Sequence, residues 1–229
     1  GFLPLFAVTL WVSLLAILYA LPFGLLVSFY MSEVANPKVR SWLKPIIELL
    51  SGIPSVVYGF FGLIVIVPLI QKLFDLPVGE SGLAGSIVLA IMALPTIITV
   101  TEDAMRNCPR AMREASLALG ASQWQTIYKV VIPYSISGIT SGVVLGIGRA
   151  IGETMAVLMV TGNAAVIPTT ILEPLRTIPA TIAAELGEAP AGGPHYQALF
   201  MLGVVLFFIT LIINFSVEYI SSKGLKRSK

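Results

Sequence analysis

Leu3–Met31 reads LPLFAVTLWVSLLAILYALPFGLLVSFYM, 29 residues without one charged side chain. A helix needs roughly 20 apolar residues to cross the hydrocarbon core of a bilayer, so this run is long enough on its own. Four more apolar runs follow, at about 46–73, 82–101, 134–160 and 196–220. The second is broken near Ser51-Gly52-Ile53-Pro54, and the third carries Pro95. Such interruptions are tolerated in a bilayer because neighbouring helices re-satisfy the freed backbone groups. A soluble bundle of buried helices is the competing reading, and five runs of this length argue against it. Composition agrees: 56% of residues are hydrophobic and 11% charged, against about 25% charged in a soluble domain. That balance excludes a soluble enzyme and a disordered chain, and a net charge of +2 is too small for a nucleic-acid binder. The expected fold is all-α: a polytopic membrane protein forming one transmembrane domain over residues 1–229.

Lys and Arg sort the connections. Lys38, Arg40 and Lys44 follow the first run, Arg106, Arg110, Arg113 and Lys129 the third, and Lys223, Lys226, Arg227 and Lys229 the fifth. Those eleven fall on one side; only Lys72 and Arg176 fall on the other, and Arg149 lies inside a run. The positive-inside rule puts the eleven in the cytoplasm, so the first residues face outward and the C-terminus inward. The chain starts at Gly1, not Met, and enters its apolar run within two residues without a basic leader. We therefore expect a chain whose natural start lies upstream. A single cysteine, Cys108, and a single histidine, His195, leave no disulfide and no multi-cysteine or multi-histidine metal site, and no cofactor is expected.

The inward connection between the third and fourth spans, about 102–133, is too polar for the bilayer. Met112, Ala115, Leu119, Trp124, Ile127 and Val131 can share an apolar flank, with Arg113, Glu114 and Gln123 polar. Gly120 suits the end of one helix and the turn into another. The pattern predicts a helix-turn-helix on the cytoplasmic face; an ordinary amphipathic interfacial segment remains the alternative. Here Glu114-Ala115-Ser116, three residues, Gly120, nine residues and Val130-Val131-Ile132-Pro133 resemble the EAA loop of ABC importer permeases, E-A-A, x3, G, x9, I-x-L-P. Ser116, Val130 and Ile132 are small departures at unchanged spacing. The resemblance implies the five-helix core of the ABC importer permease (MetI-like) fold. It also implies that Glu114, Ala115, Ser116, Gly120 and Pro133 belong to a loop that docks on a cytoplasmic ATPase and transmits its movement.

The outward connection, about 161–195, carries Pro168, Pro174, Pro179, Pro190 and Pro194. Thr177–Leu186 is expected to form a short helix on the outer surface. A loop this long is usually functional or mobile; it reads either as a cap over the bundle or, by the resemblance, as the side where a binding protein docks.

Arg149 and Glu153 lie well inside the fourth apolar run at spacing i, i+4, which puts both on one helix face. Gly138, Gly142 and Gly146 precede them at steps of four, a stripe that reads as close helix packing. A charge near the bilayer centre costs about 2.5–3.5 kcal/mol on insertion scales, so both side chains must face the bundle interior or water. One reading is a structural ion pair that fixes helix register. The other is anion recognition: a guanidinium offers a planar fork matched to oxyanions, and a permeation site must be weak enough to release its ion. Thr154 adjoins the pair, and Thr96, Thr99, Ser51, Ser55 and Tyr58 place hydroxyls near breaks in other spans.

Gly148-Arg149-Ala150-Ile151-Gly152-Glu153-Thr154-Met155-Ala156-Val157 is similar to the signature of phosphate-specific ABC transporter permeases. Gly52–Gly59 and Ala93–Ile98 resemble other segments of that subfamily, and of its two paralogous permeases Met-Ala-Val after Gly-Glu-Thr resembles the PstC type, the PstA type tending to continue with Ala-Pro-Leu. The resemblance implies a permease subunit of an ATP-driven phosphate importer in the inner membrane, with Arg149, Glu153 and Thr154 on the substrate path. Its implied partners are a second homologous permease, a cytoplasmic ATPase dimer, and a periplasmic or extracellular phosphate-binding protein. No GxxxxGK[ST] loop occurs here, so ATP hydrolysis is expected on a separate polypeptide. A permease for sulfate or molybdate, a secondary transporter or channel, and a membrane scaffold are the competing functions.

Overall fold

The computed structural model describes residues 2–227. Among them, five helices are long and apolar enough to span a membrane: Leu3–Val34, Ser55–Leu73, Gly82–Arg106, Gln123–Gly152 and Pro194–Val217. In chain order the helices are α1 (Phe2–Phe29), α2 (Pro37–Ser51), α3 (Ser55–Phe61), α4 (Val67–Leu73) and α5 (Gly82–Arg106). There follow α6 (Arg110–Ala118), α7 (Gln123–Thr126), α8 (Ile132–Gly152), α9 (Met155–Val160), α10 (Ile178–Glu185) and α11 (Pro194–Arg227). Single-turn π segments at Tyr30–Val34, Gly62–Ile66 and Ile127–Val131 extend α1, join α3 to α4 and join α7 to α8.

Several expected boundaries move: the third spanning helix runs on to Arg106, the fourth span starts at Gln123, and two apolar runs are interrupted. Residues 46–51 do not belong to the second span. They end α2, whose Asn36 side chain caps the start and whose Gly52 follows the end. Its polar residues Lys38, Arg40, Lys44 and Glu48 make α2 an amphipathic helix rather than a spanning one, and Pro54 disfavours helix at Ile53. The span restarts at Ser55. The fourth run is also not continuous: α8 stops at Gly152 and α9 restarts at Met155.

The chain forms two compact units. One comprises Gly1–Ala20, Ile53–Ala93 and Ile147–Ile212. Its core packs Tyr58, Ile66, Ile70, Val88, Met92, Ala156 and Val160, and beside it Val8, Val12, Leu89, Val157 and Leu175. The short helix expected over 177–186 forms as α10, but its first turn is buried rather than lying on the surface. Ile178, Pro179, Ala180 and Thr181 are buried, Ile178 packs with Leu199 and Leu202, and the Ile178 amide donates to Thr9 Oγ1 at 2.9 Å. Gly82 and Leu83 donate amide hydrogens to the carbonyls of Glu173 and Ile171 at 3.2 and 2.8 Å, so the segment between α9 and α10 folds back on the start of α5.

The other unit comprises Leu21–Gly52, Leu94–Gly146 and Ile213–Lys229. In lipid, apolar contact between helices brings no transfer gain, so helices associate through close backbone approach. The glycine stripe supplies it. A Cβ at Gly138 would lie 2.3 Å from Ala104 Cβ, one at Gly142 2.9 Å from Thr101 Oγ1, and one at Gly146 2.6 Å from Ile97 Cγ1. Helices α8 and α5 touch along this line, and the Ser135 hydroxyl adds a hydrogen bond to the Ala104 carbonyl at 3.0 Å.

Candidate functional site

Arg149, Glu153 and Thr154 lie in the first unit, each half-buried. Arg149 is in the last turn of α8. The helix ends three residues later, so the i, i+4 face does not continue to Glu153. The Glu153 carboxylate instead accepts the amide hydrogen of Ala156 at 3.1 Å and caps α9. A carboxylate is stabilised at a helix start, where amides are unpaired and the dipole is positive. Thr154 donates its hydroxyl to the Gly152 carbonyl at 3.3 Å. Open space adjoins the break, since a Cβ at Gly152 would meet nothing within 4 Å. Non-helical backbone at membrane depth survives only inside protein or beside a water-filled cavity. The Arg149 charge lies in electrostatic reach of Tyr58. Tyr58 sits on α3, one residue before Gly59, whose Cβ position falls 2.9 Å from Ala156 Cα. Arg149, Glu153, Thr154 and the Tyr58 turn are thus grouped about one broken helix.

The segment between the third and fourth spans forms the expected helix-turn-helix in the second unit. Gly120 has φ +85°. Its amide donates to the Leu117 carbonyl at 2.9 Å and that of Ala121 to the Ser116 carbonyl at 3.2 Å, a Schellman ending of α6. Ser122 and Gln125 cap α7 reciprocally. Glu114, Ala115 and Gly120 are exposed, while Ser116 and Pro133 are half-buried. The Ser116 and Thr126 hydroxyls hydrogen-bond at 2.9 Å. The apolar flank divides: Ile127 and Val131 are buried, but Met112, Leu117, Leu119, Trp124 and Tyr128 are exposed, an apolar surface interrupted only by small and polar residues.

Sequence reasoning counted Arg40, Lys44, Arg106 and Arg113 only as loop charges. In the structure they surround two buried carboxylates. Glu102, 1% exposed, is bound by Arg40 and by Lys44 Nζ at 2.9 Å, with Arg106 at 3.9 Å. Burial alone would lower the Lys44 pKa, but its bonds to Asp103 and Glu102 raise it above the ordinary value. Glu33, 4% exposed, holds Arg113. The signal was present: acidic residues at the ends of apolar runs seldom stay unpaired. In the segment 161–195 Glu185 joins Arg176 to His195 Nε2 at 3.1 Å. There the Thr169 hydroxyl and amide hold the Glu173 carboxyl below its usual pKa.

The family model described as "Binding-protein-dependent transport system inner membrane component" matches residues 20–224. The "Probable ABC transporter permease protein YqgH" of Bacillus subtilis is 41% identical over 97% of this chain and 72% of its own length. The "Phosphate transport system permease protein PstC" of Mesorhizobium japonicum is 37% identical over 90% of this chain and 69% of its own. Among solved structures, an inward-facing form of the MetNI methionine ABC transporter superposes with TM-score 0.64 at 19% identity, covering 100% of this chain and 94% of that one. An amino acid ABC transporter gives 0.61 at 15% identity, covering 96% and 90%; at these identities the likeness concerns the fold. With the spans, the glycine-turned helical hairpin and the family match in agreement, this chain belongs to the binding-protein-dependent transport system inner membrane components, the multi-pass permease subunits of ABC transporters.

Proposed function

We propose that this chain is one of two membrane permeases of an ATP-driven importer of inorganic phosphate, of the PstC type. The observation that carries the reading is the segment Gly148–Val157. It combines a likeness to the signature of phosphate permeases with a helix break that holds a guanidinium, a carboxylate and a hydroxyl at the end of the fourth span. Likeness to phosphate permeases over 90% of the chain supports it. Arg149 supplies a forked donor set for an oxyanion in transit. Glu153, engaged by the Ala156 amide, fixes the geometry of the break and keeps the local charge near balance, so an anion binds without being trapped. The exposed face of α6 and α7, with Glu114 and Gly120, meets an ATPase of the cytoplasmic dimer. The outward segment receives an extracytoplasmic phosphate-binding protein. This places the start of α1 outside and the end of α11 in the cytoplasm.

The test is ATPase stimulation and uptake by the reconstituted complex, comparing phosphate, sulfate and molybdate with their matched binding proteins. Phosphate alone should stimulate. Stimulation by sulfate or molybdate and not phosphate would replace the substrate while leaving the permease assignment. Arg149→Lys should impair uptake, because the charge stays and the fork is lost. The double variant Arg149→Gln, Glu153→Gln should assemble and still fail to take up phosphate; near wild-type uptake by it would reduce the two residues to a structural role.

A further inference from the structure

No residue of α6 is buried. Surface helices are ordinarily held by an apolar face, yet Met112 and Leu117 of α6 are exposed, as is Leu119 just beyond its end. Polar bonds hold the helix instead. Arg113 Nη1 donates to Glu33 Oε2 at 2.7 Å, and Nη2 donates to Glu33 Oε1 at 3.0 Å and to the Met105 carbonyl at 2.9 Å. The Ser32 hydroxyl donates to the same Glu33 Oε1 at 2.7 Å. Met105 lies in the last turn of α5, where carbonyls lack intrahelical donors. Glu33 lies in the π segment Tyr30–Val34 that closes α1, and single-turn π segments recur at functional sites. One guanidinium therefore joins α6 to the ends of α5 and α1.

We infer that Arg113 is the positioning residue through which displacement of α6 reaches the first span, with Glu33 as its buried counterpart. The inference rests on the reading of α6 as the surface that meets the ATPase. Chain connectivity carries a push on α6 to α5 through Cys108 and Pro109, and through the Gly120 turn to α7, whose Trp124 ring stacks on Phe29 of α1 with centroids 6.0 Å apart. That apolar contact receives the push only by way of the turn, whereas the Arg113–Glu33 fork joins α6 to the end of the first span directly. Two parallel bonds set an angle as well as a distance, which a single point charge cannot. Burial of Glu33 makes the link hard to break, because removing one partner strands the other. The guanidinium stays charged: burial opposes its charge, but the bonds to the Glu33 carboxylate outweigh it and raise its pKa.

The test uses the full complex, with both permeases, the ATPases and the binding protein, in proteoliposomes. Two quantities are read: phosphate taken up per ATP hydrolysed, and amide hydrogen exchange at residues 30–34 and in α6 before and after trapping with ATP and vanadate. In the wild type both segments should respond to trapping. In Arg113→Ala, uptake per ATP should fall at least tenfold, and the response at 30–34 should vanish while that of α6 persists. Arg113→Lys should keep part of both readouts. The double variant Glu33→Met, Arg113→Met replaces the pair with apolar chains of similar length and removes the stranded charge. It keeps the test open if Arg113→Ala fails to assemble. A merely structural pair predicts that the double variant recovers uptake per ATP and the 30–34 response; that recovery, or wild-type coupling in Arg113→Ala, overturns the inference. A wild-type complex that shows the exchange response but moves no phosphate sinks the substrate assignment alone. An α6 that does not respond to trapping overturns the coupling surface and this inference together.

Discussion

Gly120 offers the sharpest perturbation, because its substitution changes backbone energy and nothing else. Its φ is +85°, and a Cβ built there meets no atom within 4 Å. No packing penalty therefore enters; the whole cost is that of an L residue in the left-handed region, about 1–2 kcal/mol. A β-branched residue is worst placed there, so Gly120→Val should cost about 2 kcal/mol or slightly more. One to two kcal/mol shifts a two-state balance by about 5- to 30-fold. The state lost is the Schellman ending made by the Gly120 and Ala121 amides, and with it the direction of α7. The spans are untouched, so the protein should still insert. Asn tolerates the left-handed region, so uptake at matched permease levels should fall in the order Gly, Asn, Ala, Val. ATPase retained on affinity purification should follow the same order. Full uptake by Gly120→Val would refute the reasoning. Equal damage from Asn and Val would also refute it, since side-chain bulk rather than φ would then be responsible.

Three further outcomes are expected. Gly138→Ala pushes its Cβ to 2.3 Å from Ala104 Cβ and should lower stability by about 1–3 kcal/mol as overpacking does. Gly152→Ala meets nothing within 4 Å and should change it by less than about 0.5 kcal/mol; thermal melting in detergent separates them. Glu102→Gln removes the carboxylate between Arg40 and Lys44, and leaves Lys44 with Asp103 alone as its anion. The loss in the same assay should be near the lower end of the roughly 3–5 kcal/mol for a broken buried pair, because those side chains, 18% and 27% exposed, can turn to water. Glu173 has a folded pKa below its unfolded value, so its hold on the outward segment is complete above the unfolded value and lost as pH falls through the folded one. The protection of the Thr169 amide, its exchange rate relative to the intrinsic rate at the same pH, should fall on acidification to that range, and Glu173→Gln should abolish the pH dependence of that protection.

What was legible in the sequence obeys local rules. Five spans follow from hydropathy and length, because every stretch of chain faces the lipid by itself. The turn at Gly120 follows from the one residue that takes positive φ freely, and the stripe Gly138, Gly142, Gly146 from helical period. The break in the fourth apolar run was less visible, since the residues on both sides of Gly152 are apolar enough to continue. Glu153 there caps α9 rather than sharing a face with Arg149.

Partners distant in the chain belonged to the tertiary structure alone. Arg113 and Glu33 are 80 positions apart, and Lys44 and Glu102 are 58. In a linear reading each is an isolated charge at the end of an apolar run. Only packing brings a buried carboxylate within reach of one particular cation. The burial of α10 has the same origin: Thr177 announces its first turn, but the Thr9 hydroxyl that receives the Ile178 amide lies 169 residues away. Hydropathy and backbone preference are properties of single residues and short segments, and the sequence alone determined whatever rests on them. Which charge meets which, and which helix face is covered, depends on three-dimensional neighbours, and the fold decided those.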